Sequence, residues 1–220
     1  MPVITVHGAK GGQGTTTIAA VLAILHAQAG NRTLLVDTAG DLPAILATND
    51  HDRPGLADYL NPAHRLTIEH VTTNVTERLD LIARGDGTIE FDTYTYGLLT
   101  GGLGHYDTVI IDTATHAPAW DRHADTTILV TRPCYLALRR AVTQPRPTHL
   151  AVITEPGRAL NTADIEAALG IPVTVTIALD PDIARCIDAG LLNTRIPRTL
   201  TRALRPLLTP TTATATDAVR

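Results

Sequence analysis

Apolar residues along the chain alternate between two patterns. Val3, Ile4 and Val6 make a short run of the kind that a buried strand produces, and an Ala/Ile/Leu stretch of helical length then opens at Thr15 and runs to about residue 29. The alternation recurs. Residues 32–36 predict a second buried strand that stops at Asp37, and residues 106–111 a central one that stops at Asp112. Further strands are expected over 78–84, 127–131, 149–154 and 173–177. Helices are expected over 136–142, 162–169, 181–189 and 200–208, with Asn161 as cap and Gly170 as stop for the second of them. Between 41 and 77 the pattern is weak, predicting short helices over 41–47 and 54–60 and a turn at 49–52. Residues 89–103, rich in Thr and Tyr, read as a poor helix after the break at Gly85-Asp86-Gly87.

Strand and helix in alternation predict an α/β fold: a doubly wound, mostly parallel sheet with helices on both faces and right-handed crossovers. With 220 residues and 44% apolar content, the chain is expected to form one domain over 1–208 with a sizeable core. A Thr/Ala-rich flexible tail is expected over 209–220.

The first strand and first helix are joined by a glycine-rich turn from Gly8 to Gly14. Gly11, Gly12 and Gly14 let successive N–H groups converge on an anion, and the helix opening at Thr15 adds the positive end of its dipole. This is a phosphate cradle. The general pattern G-x-x-x-x-G-K-[ST] is not met, because Ala9 stands at its first glycine and Thr15 at its lysine. Composition adds a second observation. Of 18 basic residues Lys10 is the one lysine, so a compact ammonium has been kept inside the loop where every other basic position is arginine.

The residues Lys10-Gly11-Gly12-Gln13-Gly14-Thr15-Thr16-Thr17 resemble the deviant loop K-G-G-x-G-K-[ST]-[ST] of the ParA/MinD family of P-loop ATPases, with Lys10 at the signature lysine. Two further motifs carry the resemblance. Asp37-Thr38-Ala39 is similar to the family's D-x-D, and Tyr106 to Thr113 to its Y-D-x-[IV]-[IV]-[IV]-D-T. The resemblance implies that Gly11, Gly12, Gln13, Gly14, Thr15, Thr16 and Thr17 hold ATP, and that Thr16, Asp37 and Asp112 lie at a magnesium ion. It implies that Asp180 and Pro181, in a weaker echo, lie beside the adenine. Ala39 replaces the second acid; Asp41 is a nearby stand-in or, on residue type alone, a helix cap. The asparagine expected for base recognition is not evident at Thr154-Glu155-Pro156, and no guanine signature is present.

Thr15 and Ala39 thus remove two groups that act in the transition state, so nucleotide binding should survive better than turnover. In the resembled family the signature lysine reaches a partner subunit's phosphates, which implies a homodimer bridged by ATP that positions or partitions a cargo, with slow or absent hydrolysis. The loop is also similar to the TadZ/CpaE branch, which localises a pilus or secretion system. Two other classes remain in view: a metabolic P-loop enzyme, expected to have kept the lost groups, and a pseudo-ATPase scaffold, expected to ignore nucleotide.

Arg139, Arg140, Arg195, Arg198, Arg202 and Arg205 could make a basic face for nonspecific DNA binding, although a net charge of −4 also suits solvated helix faces. An aromatic content of 3% argues against a base-stacking nucleic-acid module. No run of 18 apolar residues and no basic, apolar leader is present, and Pro206 interrupts the amphipathic stretch 198–208, so membrane attachment is not expected and a cytoplasmic address is. Cys134 and Cys186 are spaced neither as a zinc site nor as a disulfide framework. His7, beside the loop, reads as a turn residue, with a nucleotide contact as the alternative, and no histidine is assigned catalysis.

Overall fold

The computed structural model describes residues 1–49, 53–115 and 118–208. In chain order it contains β1 (Val3–Gly8), α1 (Thr15–Gln28), β2 (Thr33–Asp37), α2 (Leu42–Leu46), α3 (Leu56–Leu60), α4 (Ile68–Val71), β3 (Thr72–Thr76), β4 (Leu79–Ile82) and α5 (Thr93–Gly101). The second half contains β5 (Thr108–Ala114), α6 (Pro118–Asp121), β6 (Thr126–Thr131), α7 (Tyr135–Ala141), β7 (His149–Thr154), α8 (Thr162–Leu169), β8 (Val175–Ala178), α9 (Pro181–Asp188) and α10 (Arg198–Leu204).

The strands form one eight-stranded sheet in the order β3-β4-β2-β5-β1-β6-β7-β8. Every described pairing is parallel except β3 with β4. The expected doubly wound, mostly parallel α/β architecture is therefore present. Its central strands are apolar on both faces because both faces are covered. In β2, Leu35 points into a core shared with α1, α2 and α10, whereas Leu34 and Val36 point into a second core with α3, α4 and α5. A third, smaller cluster joins Leu129, Leu150 and Val152 to α7 and α8 on the face opposite α1.

Helix α1 is the hub. Eleven of its fourteen residues are buried, against the sheet on one side and α2 and α10 on the other. A helix covered all round needs no polar stripe, which is why its residues are apolar without a break from Ile18 to Leu25.

Several expectations change. Residues 72–76, read as weakly patterned, form the edge strand β3; its side chains are at best half-buried, so no apolar alternation marks it, and Asn74 Nδ2 donates to Asp80 Oδ1 of β4 at 3.0 Å. The helix expected over 89–103 starts only at Thr93, because the Asp92 carboxylate accepts the Thr95 N–H at 2.8 Å and caps it. The strand expected from 173 begins at Val175, since the Val173 N–H is held by Glu166 Oε1 at 2.6 Å. The last helix begins at Arg198 and ends at Leu204, passing into a 3-10 turn, Arg205–Leu207, that accommodates Pro206. The tail 209–220 and residues 50–52 of the expected turn lie outside the described residues.

Candidate phosphate and magnesium site

The chain crosses from β1 to β2 on one side of the sheet and reaches β6 on the other, so the strand order reverses at β1. A crevice opens at the carboxyl ends of strands at such a point. There the loop between β1 and α1 turns through left-handed conformations at Gly12 (φ 74°) and Gly14 (φ 88°). Gly14 also permits close packing, since a Cβ at this position would lie 2.7 Å from Ile153 Cδ1. Gly11 and Gly12 face open space. The first turn of α1 carries no acidic residue, leaving its N–H groups and dipole to an anion. The resulting cavity, of about 280 Å³, is lined by the whole run Lys10 to Thr17 and, across it, by Ala39, Asp41 and Ala114.

The loop is fixed from outside. The buried Gln13 side chain accepts the Arg132 backbone N–H at 2.9 Å, anchoring the loop to the end of β6. Lys10 is partly exposed and its Nζ rests on the Gly11 carbonyl at 3.3 Å, a weak intraloop contact that leaves the ammonium able to swing outward.

Asp37 and Asp112 are partners in register across β2 and β5. Both are fully buried, but they do different things. The Asp37 carboxylate accepts three backbone N–H groups: Ala39 at 2.8 Å and Gly40 at 2.7 Å on Oδ1, and Leu42 at 2.9 Å on Oδ2. Burial raises its pKa and those three bonds oppose the rise. On Asp112, Oδ1 accepts the Ala114 N–H at 3.0 Å, while Oδ2 is buried without a hydrogen-bond partner among the described residues. Burial pushes this carboxyl up to about 6, with the neighbouring Thr16 hydroxyl acting the other way.

A buried, orphaned carboxylate oxygen beside a threonine hydroxyl at a phosphate loop fits a magnesium ion. Among the described residues no three acidic, histidine or cysteine side chains gather as a metal cage. Magnesium does not require one, because it keeps waters and takes the rest of its shell from phosphate oxygens. Asp41 occupies the cap position of α2 without making a side-chain capping bond, and it lines the loop cavity.

Asp180 lies at the rim of a smaller, mostly apolar cavity of about 180 Å³ that adjoins the loop through Gly14 and Thr17. Its carboxylate caps α9 through the Asp182 N–H at 2.9 Å and accepts the Thr199 hydroxyl at 2.9 Å. Pro181 is the first residue of α9.

The six arginines are all exposed but do not share a face. Arg139 and Arg140 ride on α7, on the side of the sheet opposite α1, whereas Arg198 and Arg202 ride on α10, packed on the α1 side. Cys134 and Cys186 are half-buried and unbridged.

Sequence reasoning missed one polar pair. His7 is no turn residue: it lies in β1, buried, with Nδ1 3.2 Å from Asp121 Oδ2 of α6. Burial lowers the His7 pKa to about 4 and raises that of Asp121 to about 6. Partners 114 residues apart leave no local signal, and only the excess of polar character in an otherwise apolar strand marked His7.

A parallel sheet with a glycine loop running into a buried helix at its topological switch point defines a P-loop nucleotide-binding fold. Comparison with known proteins narrows the class. The family model for "Cellulose biosynthesis protein BcsQ" matches residues 1–93. A ParA family ATPase from Chlorobium tepidum superposes with a TM-score of 0.76 at 26% identity, covering 92% of this chain and 95% of that one. MinD from Pyrococcus horikoshii, solved with Mg-ADP, gives 0.73 at 18% identity over 94% of each chain. The Aquifex aeolicus MinC:MinD cell division complex gives 0.72 at 22% identity over 86% of each. A search of curated proteins returns no match. The likeness to ParA/MinD-family Walker ATPases implied by the loop is therefore shown, by fold over nearly the whole chain and by a family model over its first part. No helix among the described residues is long and apolar enough to cross a membrane.

Proposed function

We propose that this protein binds ATP with magnesium at the loop and, in that state, pairs with a second copy of itself to position a cargo. The observation that carries the reading is the conjunction at one crevice of a left-handed glycine loop, a partly exposed Lys10 and the orphaned oxygen of Asp112.

Each residue then has a role. The N–H groups of Gly11 to Thr16 would receive the phosphates, Thr16 and Asp112 would hold the magnesium, and Lys10 would extend from the loop rim to the partner's phosphates. Bound there, magnesium would neutralise phosphate charge. Asp37, its oxygens committed to Ala39, Gly40 and Leu42, shapes the loop that carries Asp41 to the cavity, and its charge, in register with Asp112, would favour the cation there. Asp180 and Pro181 set the start of α9 at the nucleoside side of the crevice.

Thr15 puts a hydroxyl where a loop lysine would put a charge, and Ala39 offers no group to orient water. Hydrolysis is therefore slow, by several orders of magnitude if both missing groups contribute as such groups do elsewhere. A cytoplasmic protein assembly is the better supported cargo. The arginines are split between two sides of the sheet, the net charge is −4, and the matched family is named for cellulose biosynthesis.

Sedimentation with magnesium and ATP, ADP or no nucleotide, beside Lys10→Ala, tests this reading. A dimer formed only with ATP and lost in the variant is expected. One unchanged mass in every condition, with no nucleotide retained, would leave a scaffold whose loop is a relic.

A further inference from the structure

The loop carries threonine rather than lysine at position 15, yet a cation besides Lys10 lines the adjoining cavity. Arg132 comes directly after β6, and its backbone N–H is pinned to the loop through Gln13 at 2.9 Å. Its side chain lines the small cavity together with Gly14 and Thr17, the two residues that also line the phosphate-loop cavity. The remainder of that lining is largely aliphatic, with Ile153 and Ile177 from β7 and β8.

The guanidinium is poorly provided for there. Its Nε is buried with no hydrogen-bond partner, and Arg132 makes no ion pair, among the described residues. Asp180 is the acid on the same cavity, but each of its oxygens is already engaged, by the Asp182 N–H and by Thr199. A cationic group partly removed from water without a counter-charge is costly, and the cost is relieved when an anion arrives. Arginine is suited to that anion if it is phosphate, which it can meet with a planar fork of donors.

We propose that Arg132 is a phosphate-binding residue of this site, supplying from the end of β6 the positive charge that Thr15 no longer supplies from the loop. The inference rests on the nucleotide-binding reading above and adds a residue to it. Gln13 is then a positioning residue, holding Arg132 at a set distance from the first turn of α1. Gly14 and Thr17 line both cavities, and it is there that the guanidinium would meet a phosphate held by the loop.

Calorimetric titration of ATP, ADP and adenosine, with magnesium, into the full chain and into Arg132→Gln and Arg132→Lys tests the assignment, with unliganded melting as the folding control. Arg132→Gln is expected to weaken ATP and ADP by about tenfold to a hundredfold, the range of a hydrogen bond to a charged group, and to leave adenosine unchanged. Arg132→Lys should recover much of the loss. An equal loss for adenosine would make Arg132 a base contact, and an unchanged ATP affinity would make it a packing residue; either overturns the proposal.

Should the glutamine variant fold poorly, arginine-directed phenylglyoxal labelling of the unaltered protein, read by peptide mass spectrometry, decides the matter. Pyrophosphate and ATP are expected to shield Arg132 and adenosine is not; absence of shielding, or equal shielding by adenosine, overturns it. If the unaltered protein binds no nucleotide at all, the functional reading fails with it. Binding that is indifferent to Arg132 removes this inference alone.

Discussion

The ends of β2 and β5 carry the same residue, in register, at the same depth, and in two different conditions. Asp37 is saturated by three backbone donors, whereas Asp112 has one oxygen satisfied and one left bare. The difference lies in the path of the chain beyond each strand. After Asp37 the backbone doubles back through Gly40, at φ 103°, and the N–H groups of 39, 40 and 42 converge on the carboxylate. After Asp112 it continues to Ala114 and donates once. A buried acid that the backbone has satisfied is part of the scaffold, and one that the backbone has left unsatisfied is poised for a ligand.

Removing each acid should therefore have opposite consequences. Asp37→Ala leaves three donors unpaired and should cost about 2–4 kcal/mol of stability, with or without nucleotide, as read by urea unfolding. Asp112→Asn should leave unliganded stability within about 1 kcal/mol of the parent, because it deletes a costly buried charge. Its effect belongs to magnesium: the gain in ATP affinity on adding the ion should shrink by about tenfold or more in a titration with and without chelator. If Asp112→Asn unfolds the protein while Asp37→Ala is tolerated, the two roles are reversed.

A buried pair on the neighbouring strand β1 sharpens the contrast through pH. His7 has a folded pKa of about 4, below its ordinary 6.5, so between those values the unfolded chain binds a proton that the folded chain refuses. Stability from this group is therefore lost as pH falls from 6.5 towards 4. Asp121, raised from 3.8 to about 6, acts with the opposite sign over much the same window, since its folded form holds the proton more tightly. His7→Gln removes the first trend and keeps the second. Its urea midpoint relative to the parent should accordingly rise between pH 7 and pH 5, a smaller effect than either aspartate change; a constant difference would show that the histidine does not titrate on unfolding.

The same physics decides how much of this was legible in the sequence. The loop, β1, β2 and β5 stood out because strands covered on both faces are apolar throughout, and because left-handed turns select glycine at Gly12 and Gly14. The exposed edge strand β3 did not, since Thr72 to Thr76 takes its order from pairing with β4 rather than from burial. The start of α5 was legible in principle, as Asp92 three residues before Thr95 is a capping signal that a weak apolar pattern obscured. Asp37 and Asp112 could be named as strand-terminal acids, but nothing local distinguished the satisfied one from the bare one. The pairs His7 with Asp121 and Gln13 with Arg132 join residues more than a hundred positions apart, where single-sequence patterns carry no information.

Lys10 has a practical consequence apart from its chemistry with phosphate. It gives the chain a single ε-amine, placed at the loop rim and partly open to solvent. Amine-directed reagents, which scatter over most protein surfaces, have one side chain to find here. An isotopically methylated Lys10 would add one side-chain resonance at the crevice, told from that of a methylated α-amine by its pH dependence, with no engineered label. The protein thus carries its own probe at the position where nucleotide and partner are proposed to meet.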